Sequence, residues 1–349
     1  MTFLGLDLPT VWFLVIGATV SLYAVLDGFD LGAGLLHVFL RKEESRRIAL
    51  NAVGPVWDGN EVWLVITGGA LFAGFPEAYA TAFSAFYTPF MLLLAALIGR
   101  AISIEFRSKE PMAWWRGFWD WSYFLSSLTI SVLLGVALGN LMVGIPIDAD
   151  GIYQGRGLVD MLTPLPLATG LAVAALYAVH GSLYLLLKTE DKLFHRVRSL
   201  NRVALFFFYA AMALATAIVF LRNPEVMDRI WGRPGFLVLA LLAFSASVLI
   251  PRWVARHRYT TAFAASALMI ASLLGLVFAQ QFPLLIPSAL DPDGGMSLWE
   301  AASTDQTFRL LLIIPAIGGP LVVCYSLFVS RPSRGHVPLA DLPHSASPT

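Results

Sequence analysis

The stretch LDGFDLGAG, Leu26 to Gly34, places two carboxylates, Asp27 and Asp30, inside a run that is otherwise apolar from residue 11 to residue 40. In water these acids would be an ordinary polar interruption. Near the centre of a lipid bilayer, an acidic side chain costs upward of about 2.5 kcal/mol, so it must be paired, protonated or in contact with water. The meaning of the stretch therefore depends on whether the chain lies in a membrane.

The composition indicates a membrane protein. Hydrophobic residues make up 58% of the 349 residues and charged residues only 13%, roughly half the charged fraction of a soluble domain. The formal net charge is zero, which argues against a nucleic acid as partner. Because Cys324 is the single cysteine, disulfides within the chain and cysteine-based metal sites are excluded.

The apolar runs predict an all-α polytopic membrane protein with about nine spanning helices in one domain, 1–330, followed by a polar cytoplasmic tail, 331–349. The long runs meet the length of about 20 residues that crosses a bilayer core. Of the 23 lysine and arginine residues, 18 fall on one side of this arrangement. Since basic residues accumulate in cytoplasmic loops, we expect the N-terminus outside and the C-terminus inside. The predicted spans are 11–40, 55–75, 78–100, 118–142, 164–187, 201–221, 235–251, 260–282 and 307–329.

The two acids of the first span belong to a polar stripe. Its members are spaced by three or four residues and so share one helical face. Counted from Arg41 at about 1.5 Å per residue, Asp30 and Asp27 lie roughly 16 to 21 Å deep, near mid-membrane. We therefore interpret them as functional, which includes the binding of a partner subunit. The stripe consists of Asp27, Asp30, Gly34, His37 and Arg41.

Glycines of the same span predict that a neighbouring helix approaches closely, since small residues have this packing role in membranes. They are Gly28, Gly32 and Gly34. The pairs Gly68–Gly69 and Gly318–Gly319, which lie inside apolar spans, are interpreted in the same way. The run WWRGFWDW, Trp114 to Trp121, is predicted to be an interfacial aromatic anchor at the inner face.

Two further polar clusters lie near the predicted inner side. GPVWDGNEVWL, Gly54 to Leu64, places Asp58 and Glu61 on one helical face. A simpler interpretation is that these acids only favour the positive end of a helix. GRAISIEFRSK, residues 99–109, ends the third span and contains Arg100, Glu105, Arg107 and Lys109. Here Arg107 and Lys109 are interpreted as topology determinants with snorkelling side chains, and Glu105 could be only their ion-pair partner.

Histidines are scarce in the predicted spans, where only His37 and His180 occur. Membrane haems usually need histidine or methionine ligands. His180 is a candidate ligand, but a hydrogen-bonded packing histidine is the preferred interpretation. The chain also lacks a glycine-rich phosphate loop, an HExxH motif and a nucleophile elbow.

Several motifs occur in order over the first 145 residues and together resemble subunit II of the cytochrome bd-type quinol oxidases. They are LDGFDLGAG, WDGNEVWL followed by TGGALFAGFPEAYA, then EFRSK, WDW and GVALGN. The nine predicted spans extend the resemblance to nearly the whole chain. It implies a fold of two four-helix bundles plus one peripheral helix.

The resemblance implies a respiratory terminal oxidase of the bacterial inner membrane, which oxidises quinol near the outer face and reduces O2 to water with cytoplasmic protons. Haem b and haem d are expected to be ligated by subunit I, the partner that also carries the quinol-binding loop. Subunit II would pack beside subunit I in the lipid, support assembly of its haem sites and contribute to proton delivery. Whether a small single-span accessory subunit joins them stays open.

The matching motifs place proton delivery on Asp58, with Glu105 and Lys109 at the cytoplasmic mouth and Arg100 and Asp30 as supporting groups. Some family members have aspartate at the position of Glu105, which keeps the carboxylate.

Asp27 is expected, with Asp30, to hold or hydrate the polar stripe. Some members have glutamine at the position of Glu61, which puts a titrating role for Glu61 in doubt. Trp57 is the expected contact for a structural quinone or lipid. No metal ligand is expected in this chain.

Two other classes of function remain open. A proton-coupled carrier also uses mid-membrane carboxylates, but it usually has inverted repeats and helices broken near the midplane. Here the only repeat-like sign is the recurrence of Asp-Gly-x-Asp/Glu at 27–30 and 58–61. A structural scaffold is the second alternative, in which the acids pair with basic groups of a partner.

Overall fold

The computed structural model describes residues 2–3, 5–230, 235–291 and 294–330, so the predicted tail 331–349 lies outside the described residues. Most of the described residues are in α-helices. The long ones are α1 (Leu8–His37), α3 (Trp57–Gly74), α5 (Tyr87–Phe106), α6 (Ala113–Val143), α8 (Pro164–Lys188), α9 (Asp191–Arg222), α11 (Phe236–Ala255), α12 (Tyr259–Gln281) and α13 (Asp305–Ser330). Shorter helices are α2 (Glu43–Val53), α4 (Pro76–Ala85), α7 (Leu158–Met161) and α10 (Pro224–Ile230).

Within the described ranges, seven helices are long and apolar enough to cross a membrane, namely α1, α5, α6, α8, α9, α11 and α12. The all-α polytopic class is therefore confirmed. The other two predicted spans correspond to α3 and α13, which are helical but are not among those seven. The number of nine spans and the direction of the termini stay predictions.

The region predicted as one span over 78–100 contains a break. α4 ends at Ala85, and α5 begins at Tyr87 and continues to Phe106, beyond the predicted end. Pro89 explains the break, because it has no N–H to donate to the carbonyl of Ala85, four residues earlier. α9 also differs from its prediction, since it begins ten residues before the predicted start at residue 201. Buried Leu193 and Val197 pack this polar first part of the helix against the core.

Helices α1 and α8 lie at the centre of the packing. α1 packs against α3, α6, α8 and α12, and α8 also packs against α6 and α9. α5 lies on α6, α11 lies on α12, and α13 contacts α1 and α3. The predicted first span thus lies against several other helices, which accounts for the burial of its polar residues.

Short strands form in two places. β1 (Thr2–Phe3) pairs with β2 (Leu6–Asp7), and β3 (Leu284–Pro287) pairs with β4 (Gly295–Ser297), both antiparallel. The second hairpin is tied to the loop after α6, because the N–H of Ile145 donates to the carbonyl of Pro287 at 2.9 Å and the hydroxyl of Ser288 donates to the carbonyl of Ile147 at 2.7 Å. The loop after α6 and the hairpin after α12 therefore pack together.

Candidate functional site

A buried ion-pair cluster joins α1, α3 and α5. The Nη1 of Arg100 donates to Oδ2 of Asp27 at 2.9 Å, and its Nη2 lies 2.8 Å from Oδ1 of the same carboxylate. That Nη2 also donates to Oε2 of Glu61 at 3.0 Å. Arg100 and Asp27 are both 0% exposed. The pair thus has one hydrogen bond and a second close ionic contact, since Oδ1 of Asp27 has no hydrogen-bond partner among the described residues. Each charge compensates the other in a site from which water is excluded.

Asp30, the other acid of LDGFDLGAG, has neutral partners. The Nδ2 of Asn60 donates to its Oδ2 at 2.8 Å, and the hydroxyl of Tyr123 donates to its main-chain oxygen at 3.2 Å. Among the residues that the structure describes, its Oδ1 has no hydrogen-bond partner although it is buried. A buried carboxylate oxygen without a donor can accept a hydrogen bond from water or hold a proton.

Glycines allow α1 to lie this close to its neighbours, as predicted. A Cβ on Gly32 would lie 1.9 Å from the main-chain oxygen of Tyr177 in α8, and one on Gly34 would lie 2.0 Å from Oγ of Ser127 in α6. For the glycine pairs, close helix packing stays a prediction, because no described helix of this chain lies against them. A Cβ on any of them would meet no described atom within 4 Å; the four are Gly68, Gly69, Gly318 and Gly319.

A second charged cluster links α1, α2, α5 and α6. Asp120 of α6 is 2% exposed and is paired with His37 Nε2, with Arg46 Nη1 at 2.7 Å and with Arg107 Nε. Arg107 also donates from Nη2 to Oε2 of Glu43 at 2.8 Å. His37 ends the buried part of the predicted stripe, since α1 ends there and Arg41 is exposed. The pairing fixes the ends of four helices relative to one another.

Sequence reasoning missed Asp120, because it lies among the tryptophans of the predicted aromatic anchor. Trp114 and Trp121 are indeed exposed, whereas Asp120 faces inward. A signal was present in the spacing, since polar residues recur every three or four positions along the buried face of α6. They are Asp120, Tyr123, Ser127 and Ser131.

Arg107 was interpreted as a snorkelling residue, and this is wrong because the side chain is buried and paired. We expect Arg107→Gln to destabilise the protein by about 3 kcal/mol or more, because Asp120 then loses a charged partner in a buried site. Thermal unfolding of the purified complex measures the effect. The matched control is Lys109→Gln, two residues further on and exposed, which we expect to leave the unfolding temperature unchanged. Equal unfolding temperatures for both variants would contradict the assignment.

The remaining predicted proton-path residues lie at the surface of this chain. Asp58, Glu105 and Lys109 are exposed, and Trp57 is partly exposed at the start of α3. Among the described residues Glu105 forms no ion pair with Arg107, whose partners are Asp120 and Glu43. The structure thus brings Asp27, Glu61 and Arg100 together. Asp58, Glu105 and Lys109 lie apart from them on the surface of the chain.

The histidines within the spans do not fit a haem. Nδ1 of His180 is hydrogen-bonded to Oγ of Ser266 at 2.6 Å, and its Nε2 to the carbonyl of Val25 at 3.0 Å. Its ring also stacks on Phe263, with 4.6 Å between centroids. His180 is therefore the predicted packing histidine, and Nε2 of His37 is engaged by Asp120. Nδ1 of His37 has no hydrogen-bond partner among the described residues, but both imidazole rings are 0% exposed, enclosed by the helices of this chain.

The fold and these clusters define an integral membrane protein that holds ionisable groups inside its helical core. A family model described as cytochrome bd terminal oxidase subunit II matches residues 8–331. The cytochrome bd-I ubiquinol oxidase subunit 2 of Escherichia coli K12 is 30% identical, with 95% of this chain and 96% of that protein covered. The cytochrome bd ubiquinol oxidase subunit 2 of Bacillus subtilis is 31% identical, with 94% and 98% covered.

The chain belongs to the subunit II family of the cytochrome bd terminal oxidases. A solved structure of the bd oxidase from Geobacillus thermodenitrificans has the same fold, with a TM-score of 0.75 at 19% identity over 93% of this chain and 98% of that chain. The resemblance stated from the motifs is thus confirmed, as is location in the bacterial inner membrane.

Proposed function

We propose that this chain is the proton-delivering subunit of a quinol oxidase that reduces O2 to water, and that subunit I carries the haems. The single observation that carries the proposal is the buried Asp27–Arg100 pair, which contacts the partly exposed Glu61 and has Asp30 with its unpartnered oxygen beside it. Buried ionisable groups in a membrane mark ion and proton paths. The complete burial of His37 and His180, and the hydrogen bonds at both ring nitrogens of His180, support haem ligation by the partner.

In this proposal, protons enter from the cytoplasm near Lys109 and Glu105 and reach Asp58 through water. Support comes from the exposure of all three side chains, since an entry group must meet water. Asp58 lies three residues before Glu61, so it is one helical turn from the buried cluster. From Asp58 the protons cross to the haem-bearing subunit, while Asp27 and Asp30 hold water at the helix interface. Quinol oxidation outside and proton uptake inside would build a membrane potential without a pump.

The nine-span arrangement is part of the same proposal, with the N-terminus outside. Support comes from the packing, in which α6 lies between α1 and α5, and α1 also contacts α3. In the second half of the chain α8 contacts α9 and α12, and α11 lies on α12, while α13 contacts α1 and α3. We propose that α1, α3, α5 and α6 form one four-helix bundle, that α8, α9, α11 and α12 form the other, and that α13 is the peripheral helix. Trp57, partly exposed beside Asp58, is the proposed contact for a structural quinone or lipid. Whether a small accessory subunit joins the complex stays open. Membership of the family favours an oxidase subunit over a proton-coupled carrier.

We expect Asp58→Asn to lower quinol-dependent O2 uptake by at least about tenfold, because an amide cannot pass a proton on. The complex with subunit I is purified, and its reduced-minus-oxidised spectrum is measured beside its O2 uptake. The haem bands should stay at the level of the unmodified complex, and Asp58→Glu should restore uptake. The matched control is Asp150→Asn, at an exposed acid in the loop after α6, which should change neither quantity.

Two outcomes would contradict the proton role of Asp58. Unchanged uptake with unchanged haem would show that protons enter elsewhere. Loss of the haem bands would assign the residue to assembly and favour the scaffold alternative.

A further inference from the structure

An apolar cavity and a polar pocket adjoin each other at one end of α6, α8 and α9. The cavity has a volume of about 280 Å³ and is bounded by these helices together with α10, α11 and α12. The pocket, of about 730 Å³, is lined by the end of α9, α10, the start of α8 and residues 288–289. Leu165 lines both spaces, so they meet at this side chain. The mid-membrane cluster around Arg100 does not contribute to either wall.

The cavity suits a hydrocarbon chain. Its walls are formed almost entirely by apolar side chains, among them Met142, Phe208 and Met212. An engineered apolar cavity of about 150 Å³ stays dry and binds benzene. A cavity of 280 Å³ therefore has room for on the order of a dozen carbon atoms by the same measure. Because such a cavity lies in helices that are apolar enough to cross a membrane, lipid chains are available to fill it.

The pocket suits a headgroup that carries both signs of charge. Arg222 ends α9, and its guanidinium can pair with a phosphate. Asp228 of α10 lines the same pocket and can pair with an ammonium group. Glu225 adds a second carboxylate and accepts a hydrogen bond from Asn223 at 3.0 Å. The described lining thus presents a guanidinium and a carboxylate, which suits a headgroup that has both a phosphate and an ammonium group.

We propose that the two spaces form one binding site for a zwitterionic phospholipid, phosphatidylethanolamine. One acyl chain lies in the cavity, and the headgroup lies in the pocket, with its phosphate at Arg222 and its ammonium at Asp228. A quinone would fill the cavity with its tail but has no charge for these side chains. The site is separate from Trp57 and does not rest on the proposed proton path.

Native mass spectrometry of the delipidated two-subunit complex, titrated with phosphatidylethanolamine, tests the proposal. We expect one molecule to bind with higher affinity than the rest. Phosphatidylglycerol should bind that site at least about fivefold more weakly, because its headgroup has no ammonium group to pair with Asp228. Ala215→Phe, which fills the cavity, should abolish this binding. Arg222→Gln should weaken it at least about fivefold, since one charged contact is lost.

Two control variants lie on the same helix. Ala217 and Arg202 are exposed on α9 and line neither space, so Ala217→Phe and Arg202→Gln should bind as the unmodified complex does. Equal affinity for phosphatidylethanolamine and phosphatidylglycerol would overturn the proposal, as would displacement of the lipid by a quinone. It would also be overturned if the two controls lost binding to the same extent as Ala215→Phe and Arg222→Gln.

Discussion

Replacing Gly32 by alanine is expected to prevent α1 from packing on α8 and to leave little folded subunit in the membrane. The added Cβ would lie 1.9 Å from the main-chain oxygen of Tyr177 and 2.8 Å from Cα of Gly181. Both are backbone atoms, which cannot rotate away as a side chain can. The helices would have to separate along a central packing interface, at a cost of about 3 kcal/mol or more. Size-exclusion chromatography of a fluorescent fusion, with co-purification of subunit I, measures the loss.

The same helix supplies the control for this prediction. A Cβ on Gly17 would lie 3.5 Å from the ring of Phe278, which is an ordinary contact, so Gly17→Ala should accumulate normally. Gly181→Ala should behave like Gly32→Ala, because its Cβ would lie 2.4 Å from the carbonyl carbon of Gly32. If Gly32→Ala accumulated as well as Gly17→Ala, the close crossing of α1 and α8 would be wrong.

Periodicity in the sequence predicted which residues share a face but not which residues meet. In α1 the three- and four-residue spacing correctly grouped Asp27, Asp30 and His37. In α5 the same spacing places Arg100 and Arg107 on one buried face with Ser103. The spacing does not say that Arg100 meets Asp27 while Arg107 meets Asp120. Those choices depend on how far each helix is displaced along its neighbour, which tertiary packing decides.

The ends of helices were predicted less accurately where a helix contains a polar segment. The first turns of α9 contain Asp191 and Lys192, so hydropathy placed the start of the span ten residues too late. α2 was not predicted as a helix, because its polar sequence reads as a loop between two spans. Its residues Glu43 and Arg46 nevertheless complete the cluster around Asp120. Amphipathic helices at a membrane surface are missed when only apolar length is considered.

The two charged clusters are joined through α1 and Tyr123. The Tyr123 hydroxyl bonds to the main chain of Asp30, and its ring meets the edge of His37 with 5.2 Å between centroids. The buried acids are therefore held by the same helix packing that the glycines allow. A change in either cluster should act on the stability of the subunit as well as on proton transfer, and the two effects have to be separated by experiment.

Arg100→Gln is expected to destabilise the complex by about 3 to 5 kcal/mol, because it leaves the carboxylate of Asp27 buried without its cation. Thermal unfolding of the purified complex measures this loss. The control is Arg41→Gln, at an exposed arginine beyond the end of α1, which should have no effect. Combining Arg100→Gln with Asp27→Asn removes both charges, so the double variant should regain a large part of the lost stability.

The double variant also separates structure from proton transfer. If it unfolds at the same temperature as Arg100→Gln alone, the buried ion pair is not the cause of the loss, and the prediction is wrong. If it regains stability and O2 uptake together, the Asp27–Arg100 pair only holds the helices, since a chain without either charge still delivers protons. If stability and haem bands return while O2 uptake stays low, the acid itself is required in the path. The last result is the one we expect, because Asp27 and Asp30 lie on adjacent turns of one buried polar stripe that the proposed path must hydrate.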